Sequence, residues 1–114
     1  MSKRIKWGVL GSGGIAKRRT IPEGIGQAAN AELVAVYDIN SEANNQVAEQ
    51  FDAKAVKSVT ELLQSDVEAV YIATPANLHC KQVLACAKAG KHVLCEKPLG
   101  MSVREAQKMI EVCQ

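Results

Sequence analysis

Apolar positions along the chain switch between a strand-like spacing and a helix-like one, with short polar gaps between the segments. Residues 5–10 form a short apolar run closed by glycines, the pattern of a buried strand. Residues 15–29 carry a helical spacing, with Ile15, Pro22, Ile25 and Ala29 on one face. Pro22 cannot donate to the carbonyl of Arg18, so this helix is expected to kink or stop near Thr20. Residues 32–38, dense in Val and Ala, read as a second strand buried on both faces. A helix over 41–51 follows, with Ser41 expected as its N-cap. Residues 53–56 suffice for a short edge strand, and Ser58-Val59-Thr60-Glu61 is a capping box opening a brief helix to Ser65. Residues 67–73 form a strand ended by Thr74-Pro75. Residues 77–89 form a helix, with Gly90 at the left-handed position beyond it. A last strand spans 92–95, and Ser102-Val103-Arg104-Glu105 caps a final helix.

Strands alternating with helices across short loops predict an α/β domain, a doubly wound parallel sheet with helices on both faces and strand order 3-2-1-4-5. Such sheets bind ligands at the carboxyl ends of their strands, where the winding reverses between strands 1 and 4. That rule selects the residues worth weighing for chemistry.

Composition narrows the field. The 114 residues are expected to form one domain, 1–114, large enough to bury a core without disulfides or metal. With 14 basic and 12 acidic residues the net charge is +2, too balanced for an electrostatic nucleic-acid binder, and four aromatics make base-stacking platforms improbable. The apolar runs are too short for a membrane span. The basic start, Lys3, Arg4 and Lys6, lacks the apolar stretch of a secretory signal. Cys80, Cys86, Cys95 and Cys113 match neither a zinc nor a redox-dithiol spacing, so no metal site is expected and reduced thiols in a cytoplasmic protein are.

Between the first strand and first helix lies Gly11-Ser12-Gly13-Gly14-Ile15-Ala16. The first glycine permits a tight turn, the second a close approach of pyrophosphate to the backbone, and Ala16 close packing of helix on strand. Free N–H groups at the helix start would then face the phosphates. Asp38 ends the second strand, where a carboxylate can accept both adenosine ribose hydroxyls but repels a 2′-phosphate. This context points to a dinucleotide, with NAD favoured and NADP as the alternative. Asp38 could instead be a turn residue capping the next helix, and Lys17-Arg18-Arg19 either a phosphate contact or a solvated face.

Two further strand ends reach the same crevice: Ala73-Thr74-Pro75-Ala76-Asn77-Leu78-His79 and Cys95-Glu96-Lys97-Pro98. The first, together with the AGKHVLCEKPL stretch that holds the second, resembles the glucose–fructose oxidoreductase/inositol dehydrogenase (Gfo/Idh/MocA) family, as do GSGGIA and VAVYDIN. The resemblance runs from about Ile5 to Met109. It implies a Rossmann domain of an NAD(P)-dependent oxidoreductase acting on sugars, polyols or related hydroxy compounds. It also implies that Lys97 lies beside the nicotinamide and the reacting hydroxyl, where an amine of lowered pKa can join the proton relay. Glu96 would offset its charge, and Asn77 and His79 would seat the nicotinamide half. Cys95 and His92 read as structural.

The family's second domain, which supplies most substrate contacts, has no counterpart in these residues. The chain is therefore expected to be the N-terminal part of a two-domain enzyme, continuing roughly 200 residues further. Alone it would bind cofactor without turnover. A standalone NAD-binding sensor is the main alternative, and a domain for coenzyme A or S-adenosylmethionine a third. Retention of Glu96-Lys97-Pro98 favours the enzyme. Strand 5 is expected to leave an unpaired edge, which keeps a homo-oligomer open.

Overall fold

The computed structural model describes residues 4–13, 30–96 and 102–113. Nine elements follow in order: β1 (Ile5–Leu10), β2 (Ala31–Tyr37), α1 (Ser41–Phe51), β3 (Lys54–Ala55), α2 (Val59–Gln64), β4 (Ala69–Ile72), α3 (Ala76–Lys88), β5 (His92–Cys95) and α4 (Val103–Val112). The helix expected over 15–29 lies outside the described residues. All the strand pairs are parallel, and the sheet order is β3-β2-β1-β4-β5, as the pattern predicted.

Strand parity sorts the core onto two faces. Leu10, Ala35, Val70 and Ile72 join Leu62, Val83, Cys86 and Met109 in one cluster. Their neighbours Val9, Val36 and Tyr71 turn the other way and meet Val47 and Ala48 of α1. The central strands are therefore apolar on both faces, whereas β5 pairs on one side only among the described residues and leaves Leu94 exposed. No helix among them is long and apolar enough to cross a membrane.

Local chemistry sets the helix ends. Ser58 Oγ accepts from the Glu61 N–H (3.0 Å), but the Glu61 carboxylate accepts from the N–H of Lys57 (3.2 Å). The box thus closes one residue further out than its usual form. Ser102 caps α4 by accepting from the Glu105 N–H. Gly90, at φ +76°, ends α3, with its N–H donating to Ala87 and that of Lys91 to Cys86. That double bond pattern satisfies carbonyls the helix would leave bare. The N-cap of α1 is Asn40, not Ser41: its side chain accepts from the Ala43 N–H (3.1 Å). The shift follows from Asp38, whose Oδ1 accepts from the N–H of Asn40 (2.8 Å) and turns the chain one residue earlier.

β1 and β2 pair with a register shift between Trp7 and Gly8, where Trp7 faces Leu33 and Gly8 faces Ala35. Leu62 of α2 packs against this point, since a Cβ on Gly8 would lie 2.9 Å from its side chain. Leu62 is fully buried, so Leu62→Ala should lower the unfolding free energy by about 2–5 kcal/mol, measured by urea titration.

Candidate functional site

The carboxyl ends of β1, β2 and β4 enclose a cleft of about 690 Å³, at the point where the winding reverses. β1 contributes Gly11 and Gly13, β2 contributes Tyr37 and Asp38, and β4 contributes Ala73, Thr74 and Pro75. Val59 and Leu78 add apolar wall, and Ile39, 93% exposed, projects at its mouth.

Two glycines let these strand ends approach so closely. Gly11 sits at φ +89°, and a Cβ there would lie 2.7 Å from the carbonyl carbon of Ala73. A Cβ on Gly13 would meet Ala43 at 3.0 Å and Asp38 Oδ2 at 3.1 Å. The N–H groups of Gly11 and Ser12 both donate to the Tyr37 carbonyl (2.7 and 3.1 Å). That of Gly13 donates to Asp38 Oδ2 (2.8 Å). The first three N–H groups of the loop thus hold strand β2 and the carboxylate that follows it, and the free donors expected at the start of the first helix lie outside the described residues. Gly14 and Ile15 lie outside the described residues.

Asp38 is half-buried, and each of its oxygens accepts one backbone N–H, from Gly13 and from Asn40. A carboxylate oxygen has room for a second donor, so the group is oriented without being saturated. It lines the cleft. It does not cap α1, the task of Asn40.

The four buried polar side chains among the described residues are Ser12, Asn44, His79 and Gln82. All serve the two loops beside the cleft. Ser12 Oγ donates to Asn44 Oδ1 (2.6 Å), and Ser12 itself does not line the cleft. Across the cleft, Thr74 Oγ1 donates to Gln82 Oε1, and His79 Nε2 donates to the Thr74 carbonyl (2.6 Å). His79 is thus a buried brace for the loop after β4. Asn77 is exposed in the first turn of α3, and Glu96, exposed, donates its N–H to Ile72. Neither lines the cleft. Lys97 lies outside the described residues.

Asn44 and Gln82 were missed from sequence. Each interrupts the apolar stripe of its helix, Asn44 ahead of Val47 and Ala48, and Gln82 between His79 and Cys86. A polar residue on a buried stripe was the available signal.

These residues fit a dinucleotide. Gly11 and Gly13 line the cleft, the carboxylate is held at it, and the apolar wall suits a base. Relatives agree. 1,5-Anhydro-D-fructose reductase of Ensifer adhaerens is 41% identical over 107 residues, covering 92% of this chain and 32% of that protein. KijD10, a 3-ketoreductase from Actinomadura kijaniata solved with NADP and TDP-benzene, superposes with a TM-score of 0.91 at 33% identity over 97% of this chain and 34% of its own. The WlbA dehydrogenase from Bordetella pertussis, solved with NADH and UDP-GlcNAcA, gives 0.90 at 32% identity over 99% and 34%. The chain therefore spans about a third of the length of the relatives it matches.

At the end of β5 the thiol of Cys95 is pushed up to about 11, by burial first and by Glu96 second. Burial, with Cys113 and Cys95 adding, pushes Cys86 up to about 12. Both stay protonated at neutral pH and become nucleophilic only as the pH approaches those values. Titration of the native protein with a disulfide reagent at pH 8 should therefore modify exposed Cys113 quickly and Cys86 only on unfolding. Cys113→Ser should abolish the fast phase.

Residues 5–114 match the model of the Gfo/Idh/MocA oxidoreductase family, NAD-binding Rossmann fold, and the chain belongs to that family.

Proposed function

We propose that the chain is the cofactor-binding part of an NAD-dependent oxidoreductase acting on a hydroxyl or keto group of a sugar or related polyol. The observation that carries the reading is Asp38, held against the cleft by two backbone N–H groups with lone pairs to spare. Its carboxylate accepts the 2′- and 3′-hydroxyls of an adenosine ribose. A 2′-phosphate would place like charge against it, which favours NAD over NADP. The apolar wall of Val59 and Leu78, with Ile39 at the mouth, receives the adenine.

Gly11 and Gly13, which line the cleft, would present bare backbone to the pyrophosphate, and Gly14 and Ile15 continue that loop in sequence. On the far side, Ala73, Thr74 and Pro75 form the wall for the nicotinamide half, braced by His79 and Gln82. Asn77 and Glu96 flank that half from the next helix and strand. The nicotinamide, when bound, supplies the hydride acceptor or donor.

Lys97 directly follows Glu96 at the carboxyl end of β5. Its amine would hold the substrate oxygen and take or return the hydroxyl proton as the carbon changes oxidation state. Glu96 beside it offsets its charge. The sugar-related ligands and activities named for the relatives support the substrate class. Their length, about three times that of this chain, supports a second domain that completes the substrate site. A cofactor-binding regulator without turnover is the second reading, favoured by the same cleft but not by Lys97.

Calorimetry with NAD and NADP should show NAD the tighter ligand. Asp38→Ala should erode that preference by about tenfold, the scale of a lost charge-assisted hydrogen bond. Tighter binding of NADP to the unsubstituted protein would refute the ribose assignment.

A further inference from the structure

The segment Gly11-Ser12-Gly13 has one side chain, and that side chain is anchored 32 positions away in sequence. Ser12 is fully buried, and its hydroxyl donates to Asn44 Oδ1 at 2.6 Å. Asn44 is itself 3% exposed, on the stripe of α1 that also buries Val47 and Ala48. Its Nδ2 donates to the carbonyls of Val36 and Val56, at 3.1 and 3.4 Å. Val36 lies in β2, and Val56 follows β3. With both amide hydrogens committed to these carbonyls, the amide oxygen has one direction left, toward Ser12.

An aliphatic side chain would satisfy the stripe without the cost of burying an amide. The amide therefore has another consequence. Glycines restrict their own backbone least, so a loop of two glycines around one serine gains its shape from outside. Part of that fixing comes from the Tyr37 carbonyl and Asp38, which hold its N–H groups. Asn44 supplies the side-chain part.

We propose that Asn44 is a positioning residue for the glycine loop, holding Ser12 so that the backbone from Gly11 to Gly13 is preorganised for the phosphates of a dinucleotide. The inference rests on the cofactor reading above. Preorganisation acts on affinity because the ordering cost is met before binding. The effect belongs to the phosphate-bearing part of the ligand and leaves the base and ribose contacts of the cleft unchanged.

The test compares NADH with adenosine, which has the base and ribose but no phosphate. NADH affinity is read by fluorescence and adenosine by NMR shift titration, at a temperature where circular dichroism shows each variant folded. Asn44→Ala and Ser12→Ala should each weaken NADH about five- to tenfold and adenosine less than about twofold. The double variant should be no weaker than Asn44→Ala alone, because the interaction Ser12→Ala removes is the Ser12–Asn44 bond already lost in Asn44→Ala. Ser12→Ala keeps the amide and its strand contacts, so it carries the test should Asn44→Ala fail to fold. Asn45→Ala, exposed on the same helix, should leave both ligands unchanged. A lowered melting temperature with NADH affinity intact overturns the proposal, as does a parallel loss of NADH and adenosine. Failure of the unsubstituted protein to bind NADH overturns the cofactor reading itself, a result separable from unchanged affinities in the variants.

Discussion

The site depends on one close approach. After β1 the backbone passes so near Ala73 and Thr74 that a single added carbon on Gly11 would lie inside van der Waals contact. That proximity brings the ends of β1 and β4 together at the reversal of the winding. It also lets the Ala73 N–H reach the Leu10 carbonyl, extending the ladder past the last strand residue. On the other side, Gly13 approaches Asp38 closely enough to donate to its carboxylate. The cleft is the space that these two contacts leave open.

A loop that narrow cannot be held by bulky side chains, and the molecule uses buried polar ones instead. Ser12 with Asn44 serves one bank, and Thr74 with Gln82 and His79 the other. Among the described residues no buried side-chain nitrogen or oxygen lacks a partner, which keeps such a polar layer from being a liability. Both sets are rooted in helices packed on opposite faces of the sheet, α1 with one core cluster and α3 with the other. The two banks are thus referred to separate halves of the core.

Much of this was legible in sequence because it is written in residues whose chemistry is local. The apolar strand runs, the glycine pair, Asp38 at a strand end, and the serine caps at Ser58 and Ser102 each announce themselves within a few positions. The cap of α1 was misjudged by one residue because Asn40 and Ser41 are both good caps. The choice between them was made by Asp38, which takes the Asn40 N–H. The engagement of the Gly11 and Ser12 N–H groups was not legible in sequence for a similar reason, since their acceptor is a carbonyl of another strand. Asn44 and Gln82 were hidden because their partners are set by packing, which no local pattern encodes.

The irregularity low in the sheet, between Trp7 and Gly8, governs the chemistry above it. Below it β1 and β2 run at one offset, and above it at an offset one residue larger, so Leu10 stands opposite Tyr37 rather than Val36. Each strand residue advances about 3.3 Å and reverses its side-chain direction. Without that slipped residue Asp38 would stand one step further beyond Gly11, with its carboxylate turned to the opposite face. A spacer low in the sheet therefore decides whether the Asp38 carboxylate meets Gly13 and the cleft at all.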